Sequence, residues 1–369
     1  MPMNRMEGAL RCLTPAFACR TVPPMIDTPP AKKARTGRRF EEFHLGQRFR
    51  HPVPRTVTEG DLAVHRALTG GRHALTSADT TAHAFGLERA PAEELIAFHV
   101  VLGKSVPDIS HDVIANLGFA ELRLGVPVFP GDTLTAESTV IGLRQIDRGD
   151  AGIIWVRTEG RNQDDLPVIV FYRWCLVPKR DPASPPPEPS VPDFGAEVPV
   201  MAMHIPSGLS GRPFDPGLTG CPHLMEDYRV GEVVDHVDGA TLEEAEHQMM
   251  ARLFQVSSRI HADAAHAAGT GHGRRLAYGG HALALARALI VNGLANALWL
   301  TAIHRLDHKG PVFGGDTVTA VSQVTALDPL PGRIDLGVIR LTTTVGTVRP
   351  AAEPAVAATV DWSFLMPRR

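Results

Sequence analysis

The chain has 369 residues, of which 44% are hydrophobic and 21% charged, and its net charge is −3. This composition is typical of a globular protein with a sizeable core, and the charge predicts neither a nucleic-acid nor a membrane-surface partner. The four cysteines are widely separated and form no CxxC pair. That spacing argues against a disulfide framework and a zinc site, and it favours a reducing cytoplasm.

The first 37 residues predict a disordered tail, since they carry proline pairs and little that could pack. Arg11 interrupts the short apolar piece near the start, so no signal peptide is predicted. The most apolar long stretch, residues 289–303, contains two asparagines and is too short to span a bilayer.

The rest of the chain repeats itself. "PVFPGDTLTAESTVIG" begins at Pro127, and "PVFGGDTVTAVSQVTA" begins 184 residues later at Pro311. In each copy an opening strand is followed by a long apolar helix, "PAEELIAFHVVLGKSV" or "GGHALALARALIVNGLANAL", and then by alternating strands. We predict two units, residues 38–180 and 221–369, joined by a proline-rich linker over 181–220. A curved antiparallel sheet around one buried helix would hide the apolar surface of each unit.

Five segments carry a resemblance to a known family. They are "PRTVTEGD", "FHVVLGKSVPDIS", "ANLGFAELRLGVPVFPGDTL", "VDGATLEEAEH" and "RRLAYGGHALALARALIVNGLANA". In this order and spacing they resemble the MaoC-like hydratases, and among them the mesaconyl-CoA hydratases, also called β-methylmalyl-CoA dehydratases. The resemblance implies an α+β tandem (double) hot-dog fold. It also implies reversible hydration of mesaconyl-CoA, or of a close branched enoyl-CoA, with no metal or organic cofactor. Coenzyme A is then part of the substrate.

The resemblance also implies a catalytic histidine. Simple MaoC-like hydratases have an acid five residues before this histidine and an acid or amide two residues after it. Here the histidine is His261 and the later residue is Asp263, which we predict as the catalytic pair, while Val256 stands where the first acid is expected. Ser77 faces His261 at an offset of 184, so the first unit is predicted to have lost catalysis. Asp263 could instead cap a short helix, and three further acids are alternatives to it, Glu243, Glu244 and Glu246.

The segment "YGGH" opens the apolar helix of the second unit. The amides of Gly279 and Gly280 are predicted to bind the thioester oxygen, since no side chain covers them and the helix dipole favours negative charge there. A tight turn is the alternative interpretation. For the second carboxylate of mesaconyl-CoA we predict Arg259 as the partner, with Arg275 and Arg72 as further candidates, against the alternative that all three are surface residues.

Two other functions stay open at this point. Hot-dog acyl-CoA thioesterases also hold a thioester at a helix start, and a catalytically silent acyl-CoA-binding module would explain Val256 and Ser77. The sequence also leaves open whether the chain forms a homodimer.

Overall fold

The structure is a computed structural model that describes residues 37–350 and 352–369. The tail predicted for residues 1–37 therefore lies outside the described residues, apart from Gly37. Two halves follow one another along the described chain, and each contributes five strands and one long helix.

The elements of the first half run from residue 48 to residue 178. The opening strand leads into three helices and then the buried helix, after which four more strands complete the contribution of this half to the sheet. Their bounds are β1 (Arg48–Thr56), α1 (Glu59–Thr69), α2 (Ala74–Ser77), α3 (Asp79–Ala84), α4 (Glu94–Ile109), β2 (Ala115–Leu124), β3 (Thr133–Gln145), β4 (Ala151–Arg161) and β5 (Pro167–Pro178).

The second half repeats this order from residue 233 to residue 367. Its bounds are β6 (Val233–Thr241), α5 (Glu244–Leu253), α6 (Arg259–Ala262), α7 (Ala264–Ala268), α8 (Gly279–Leu289), α9 (Val291–Leu294), β7 (Trp299–His308), β8 (Thr317–Pro329), β9 (Leu336–Val348) and β10 (Ala355–Pro367). Equivalent elements of the two halves begin 185 residues apart for three pairs, which are β1 with β6, α2 with α6, and α4 with α8. Strands β2 and β7 begin 184 residues apart. The repeat therefore shifts by one residue after the long helix.

All ten strands form one sheet, in the order β1-β3-β4-β5-β2-β7-β10-β9-β8-β6. Strands β2 and β7 join the halves as antiparallel neighbours, with Phe119 opposite Leu306. Each half would otherwise expose an unpaired strand edge at this place, and the pairing of β2 with β7 satisfies the backbone hydrogen-bonding groups of both edges. The two halves thus share a single continuous sheet.

The long helices lie against this sheet. In α4 every residue except Pro107 is buried, and α8 is buried along most of its length. The small residues of α8 explain its close packing, since alanine and glycine let the sheet approach the helix backbone. The prediction of one helix over residues 279–298 was too long. Helix α8 ends at Leu289, because Asn292 and Gly293 have non-helical backbone angles, and φ of Gly293 is 99°.

The proline-rich segment between the halves packs against the protein. Val198, Met203 and Leu209 are buried in an apolar cluster that also contains Phe85 and Trp299. The boundaries drawn at residues 180 and 221 stay a prediction. No helix in the described ranges is long and apolar enough to cross a membrane.

Candidate active site

A cavity of about 300 Å³ lies where the two halves meet. Residues of α4 and β2 line it from the first half, and residues of α6, the start of α8, β7 and β10 line it from the second. Its walls are mostly apolar, and the polar side chains that reach it include those of His261, Tyr278, His308 and Arg173. A concave apolar site with a few polar groups is the usual form of a small-molecule site.

His261 reaches this cavity from the short helix α6. Its Nδ1 lies 3.0 Å from the carbonyl oxygen of Leu276. A carbonyl oxygen can only accept, so Nδ1 carries the proton and donates it, and Nε2 keeps its lone pair. The backbone carbonyl of His261 accepts a hydrogen bond of 2.6 Å from Nε2 of Gln248, which holds the segment in place. The imidazole is therefore oriented, and its basic nitrogen has no hydrogen-bond partner among the described residues.

Burial lowers the pKa of His261, although the hydrogen bond to Leu276 acts in the opposite direction. Burial disfavours the charged imidazolium, because the surrounding apolar walls solvate it poorly. His261 is consequently neutral at pH 7 and can accept a proton from a molecule bound in the cavity.

Gly279 and Gly280 begin helix α8, and both line the cavity. The first amides of a helix have no acceptor within the helix, and the helix dipole adds partial positive charge there. Space explains why both residues are glycine. A Cβ on Gly279 would lie 2.7 Å from Cε1 of His308, and one on Gly280 would lie 2.4 Å from the Tyr278 hydroxyl oxygen.

His308 is a site residue that the sequence prediction missed. It is the last residue of β7 and lies against Gly279. Burial lowers the pKa of His308 to about 4, so its imidazole is neutral at pH 7 and can donate a hydrogen bond. The repeat contains the signal that could have identified it. At the offset of 184 that relates β2 to β7, His308 faces Leu124, so only the second half has a histidine here.

The structure places Asp263 away from the cavity. Its carboxylate is solvent-exposed, accepts a hydrogen bond of 2.9 Å from the amide of His266 and so caps α7. Arg259 pairs with this carboxylate at 3.3 Å, and the side chains of Arg259 and Asp263 are 47% and 41% exposed, respectively. These contacts support capping for Asp263 and a surface position for Arg259, which were the alternatives to their predicted roles.

The other two predicted arginines also lie outside the cavity lining. Arg275 forms an ion pair of 2.6 Å with Glu244, and Arg72 is 69% exposed and lies 3.9 Å from Asp238. The predicted alternative acids, Glu243, Glu244 and Glu246, lie at the start of α5 and do not line the cavity either.

Val256, at the position of the expected first acid, is buried in the cavity wall. Among residues 37–350 and 352–369, no Asp or Glu lines the cavity, so no carboxylate of this part of the chain takes the place of that acid. The same described residues contain no group of three or more His, Cys, Asp or Glu that could hold a metal ion.

The corresponding place in the first half is nearly filled. Ala92, Glu94 and Ala97 line a space of about 10 Å³, and the offset of 185 relates them to Ala277, Gly279 and Ala282 of the cavity. Glu94 accepts hydrogen bonds from the amide of Leu300 (2.7 Å) and from Arg287 (3.3 Å). The carboxylate of Glu94 thus fills the space at the start of α4, whereas the start of α8 in the second half is open to the cavity.

The helix offset also corrects one pairing. Helices α2 and α6 are related by 185 residues, so Thr76 faces His261, and the predicted partner Ser77 is one residue off. Thr76 is buried and Ser77 is exposed. The first half still lacks an imidazole at this position.

The chain is similar to known proteins over most of its length. The family model for mesaconyl-CoA hydratase matches residues 24–187. A β-methylmalyl-CoA dehydratase of Chloroflexus aurantiacus is 46% identical over 349 residues, which cover 91% of this chain and 99% of the relative. The chain belongs to the mesaconyl-CoA hydratase family. A mesaconyl-CoA hydratase of Cereibacter sphaeroides is 48% identical over 333 residues, which cover 90% of this chain and 95% of the relative.

Solved structures confirm the predicted α+β double hot-dog fold of this family member. A MaoC-domain protein of Chloroflexus aurantiacus superposes with a TM-score of 0.89 at 45% identity, covering 92% of this chain and 100% of that chain. A Mycobacterium tuberculosis protein with a double hot-dog fold superposes with a TM-score of 0.73 at 26% identity, covering 90% of this chain and 98% of that chain.

Proposed function

We propose that this chain catalyses the reversible hydration of mesaconyl-CoA to β-methylmalyl-CoA, or of a close branched enoyl-CoA. The observation that carries the proposal is the position of His261. Its basic nitrogen has no hydrogen-bond partner within residues 37–350 and 352–369, and its ring lines the same cavity as the open start of helix α8. A base and a site for a developing oxyanion are the two requirements of this hydration.

In the proposed reaction, Nε2 of His261 takes a proton from water. The water oxygen forms a bond to the β-carbon, and the electrons of the carbon–carbon double bond shift toward the thioester oxygen. The imidazolium of His261 then returns the proton to the α-carbon, which restores the thioester and completes the addition of water. One histidine therefore performs both proton transfers, and the reaction needs no carboxylate at the position of Val256.

The thioester oxygen becomes negative during this sequence. The amides of Gly279 and Gly280 stabilise it at the positive end of α8. His308, which lies against Gly279, donates a further hydrogen bond to the same oxygen. A neutral imidazole is well suited to this role, because it donates without competing for the proton that His261 carries.

We propose that the reaction requires neither a metal ion nor an organic cofactor, since the steps above consist of proton transfer and charge stabilisation. It also includes a cytoplasmic location, which suits the free thiols of Cys175 and Cys221.

Activity on mesaconyl-CoA tests the proposal. A hydratase removes the enoyl absorbance and releases no free thiol, whereas a thioesterase releases coenzyme A. A silent binding module would bind the thioester in calorimetry and convert none of it. The cavity favours hydration over thioester hydrolysis, because no carboxylate of the described residues lines it. Thiol release at the rate of substrate loss would overturn the proposal.

A further inference from the structure

Arg173 is a buried arginine in the wall of the cavity, at the end formed by the first half. It lies on β5, is 1% exposed and lines the cavity together with His261. Its guanidinium donates hydrogen bonds to Oγ of Ser105 (2.9 Å) and Oγ of Ser110 (3.2 Å). Ser105 lies on α4 and Ser110 caps the C-terminus of this helix, so α4 fixes the orientation of the guanidinium.

This charge has no counter-ion in the described part of the chain. No Asp or Glu of residues 37–350 or 352–369 forms an ion pair with Arg173, and its Nε has no hydrogen-bond partner. The fully buried Arg287 differs, because it pairs with Glu94 at 3.3 Å. A buried charge without an opposite charge is costly, so an anion that enters the cavity would be bound strongly here.

The second half shows that the fold does not need an arginine at this position. Val156 of β4 pairs with Arg173, and at the offset of 185 its counterpart Leu341 of β9 pairs with Trp362. Trp362 therefore occupies the position of Arg173. The serines are also specific to the first half, since the same offset places Ile290 and Ala295 opposite Ser105 and Ser110.

Other cationic side chains are less suited than Arg173 to bind an anion inside the cavity. Arg173 is the only arginine of the described chain that lines it, and the one lysine that does, Lys309, is 48% exposed and pairs with Asp307 at 3.5 Å. Arg259, the candidate predicted from the sequence, is 47% exposed and pairs with Asp263.

We infer that Arg173 binds the free carboxylate of the substrate, so that the preferred substrates are enoyl-CoA thioesters with a second, anionic carboxyl group. The inference rests on the proposed function and extends it. In mesaconyl-CoA this carboxylate is attached to the β-carbon, the atom that receives the water oxygen. A guanidinium has five N–H donors, of which the serines use two, so the remaining donors can meet both carboxylate oxygens.

The experiment compares two substrates that differ only at the proposed contact. 2-Methylcrotonyl-CoA has a methyl group where mesaconyl-CoA has the carboxylate. For Arg173→Met we expect kcat/KM for mesaconyl-CoA to fall by about 10²-fold more than kcat/KM for 2-methylcrotonyl-CoA, on the scale of one lost charge-assisted pair. Arg305→Met is the matched control, because Arg305 lies on β7, which is separated from β5 by β2, is 47% exposed and does not line the cavity. Arg305→Met should leave the ratio of kcat/KM for mesaconyl-CoA to kcat/KM for 2-methylcrotonyl-CoA unchanged.

Equal losses on both substrates with Arg173→Met would overturn the inference, and so would a change of preference caused by Arg259→Leu but not by Arg173→Met. If Arg173→Met does not fold, Arg173→Lys replaces it. Lysine keeps the charge but loses the paired geometry, so the preference for mesaconyl-CoA should fall by about tenfold, and an unchanged preference would contradict the inference.

If the wild-type enzyme hydrates neither thioester, the proposed function fails, and the inference is then tested by calorimetry. Arg173→Met should weaken binding of mesaconyl-CoA and leave binding of 2-methylcrotonyl-CoA unchanged.

Discussion

Glu94 and Gly279 begin the two long buried helices of the chain at equivalent positions, 185 residues apart. The carboxylate of Glu94 is held by the amide of Leu300 and by Arg287, and it leaves a space of only about 10 Å³. Gly279 has no side chain, and the cavity beside it measures about 300 Å³. Two copies of one fold thus differ at the residue where a thioester would bind.

Gly279→Ala tests the importance of this open helix start. The new Cβ would lie 2.7 Å from Cε1 of His308 and would also narrow access to the amides. We expect kcat to fall by about 10²-fold, the scale for a disturbed oxyanion site. Gly271→Ala is the control, since a Cβ there meets nothing within 4 Å. Wild-type kcat in Gly279→Ala would show that this helix start does not hold the thioester.

The pH dependence of kcat/KM reports the protonation state of the base. Because burial lowers the pKa of His261, its basic form predominates at and above neutral pH. The rate constant should therefore be level from about pH 6.5 to 8 and fall in acid, by about tenfold for each pH unit below the pKa of His261. Initial rates of mesaconyl-CoA hydration across this range measure it. A rate constant that rises as the pH is lowered from 8 to 6 would require an acidic His261 in the free enzyme.

His304 connects stability to pH at a place outside the cavity lining. Its Nδ1 accepts a hydrogen bond of 2.8 Å from the amide of Val198, and its Nε2 donates one of 2.8 Å to Oγ of Ser363. Burial lowers the pKa of His304 to about 4, with a further contribution from the charge of Arg340. The unfolded chain therefore binds a proton at higher pH than the folded chain does.

The stabilising contribution of His304 should be complete above about pH 6.5 and be lost as the pH falls toward 4, at up to about 1.4 kcal/mol per pH unit. Denaturant unfolding of the wild type and of His304→Ala at pH 7 and pH 5 checks this. The variant should lose about 1–3 kcal/mol at pH 7 and depend less on pH. Parallel pH dependence of the two proteins would show that another group is responsible.

The repeat, the buried helices and the positions of His261, Gly279 and Gly280 could be predicted from the sequence, and the structure brings these three residues to one cavity. The role of Asp263 was predicted from its position two residues after His261, and Arg259 lies two residues before His261. In a helix, residues two apart differ by about 200° around the axis, so His261 faces the cavity while these two face solvent.

His308 and Arg173 reach the site through contacts with residues that are far from them in the sequence. His308 ends a strand of the second half and meets Gly279, whereas Arg173 comes from the first half. No local motif marks such residues. The comparison of the two copies does, since Leu124 stands opposite His308 and Trp362 opposite Arg173.

Replacement of His261 tests most directly the claim that one histidine in the second half performs the chemistry. We predict that His261→Ala lowers kcat for mesaconyl-CoA hydration by about 10²–10⁴-fold while the variant still binds the thioester in calorimetry. Thr76→Val, at the equivalent position of the first half, should retain wild-type kcat. A His261→Ala enzyme that hydrates mesaconyl-CoA at the wild-type rate would contradict the account.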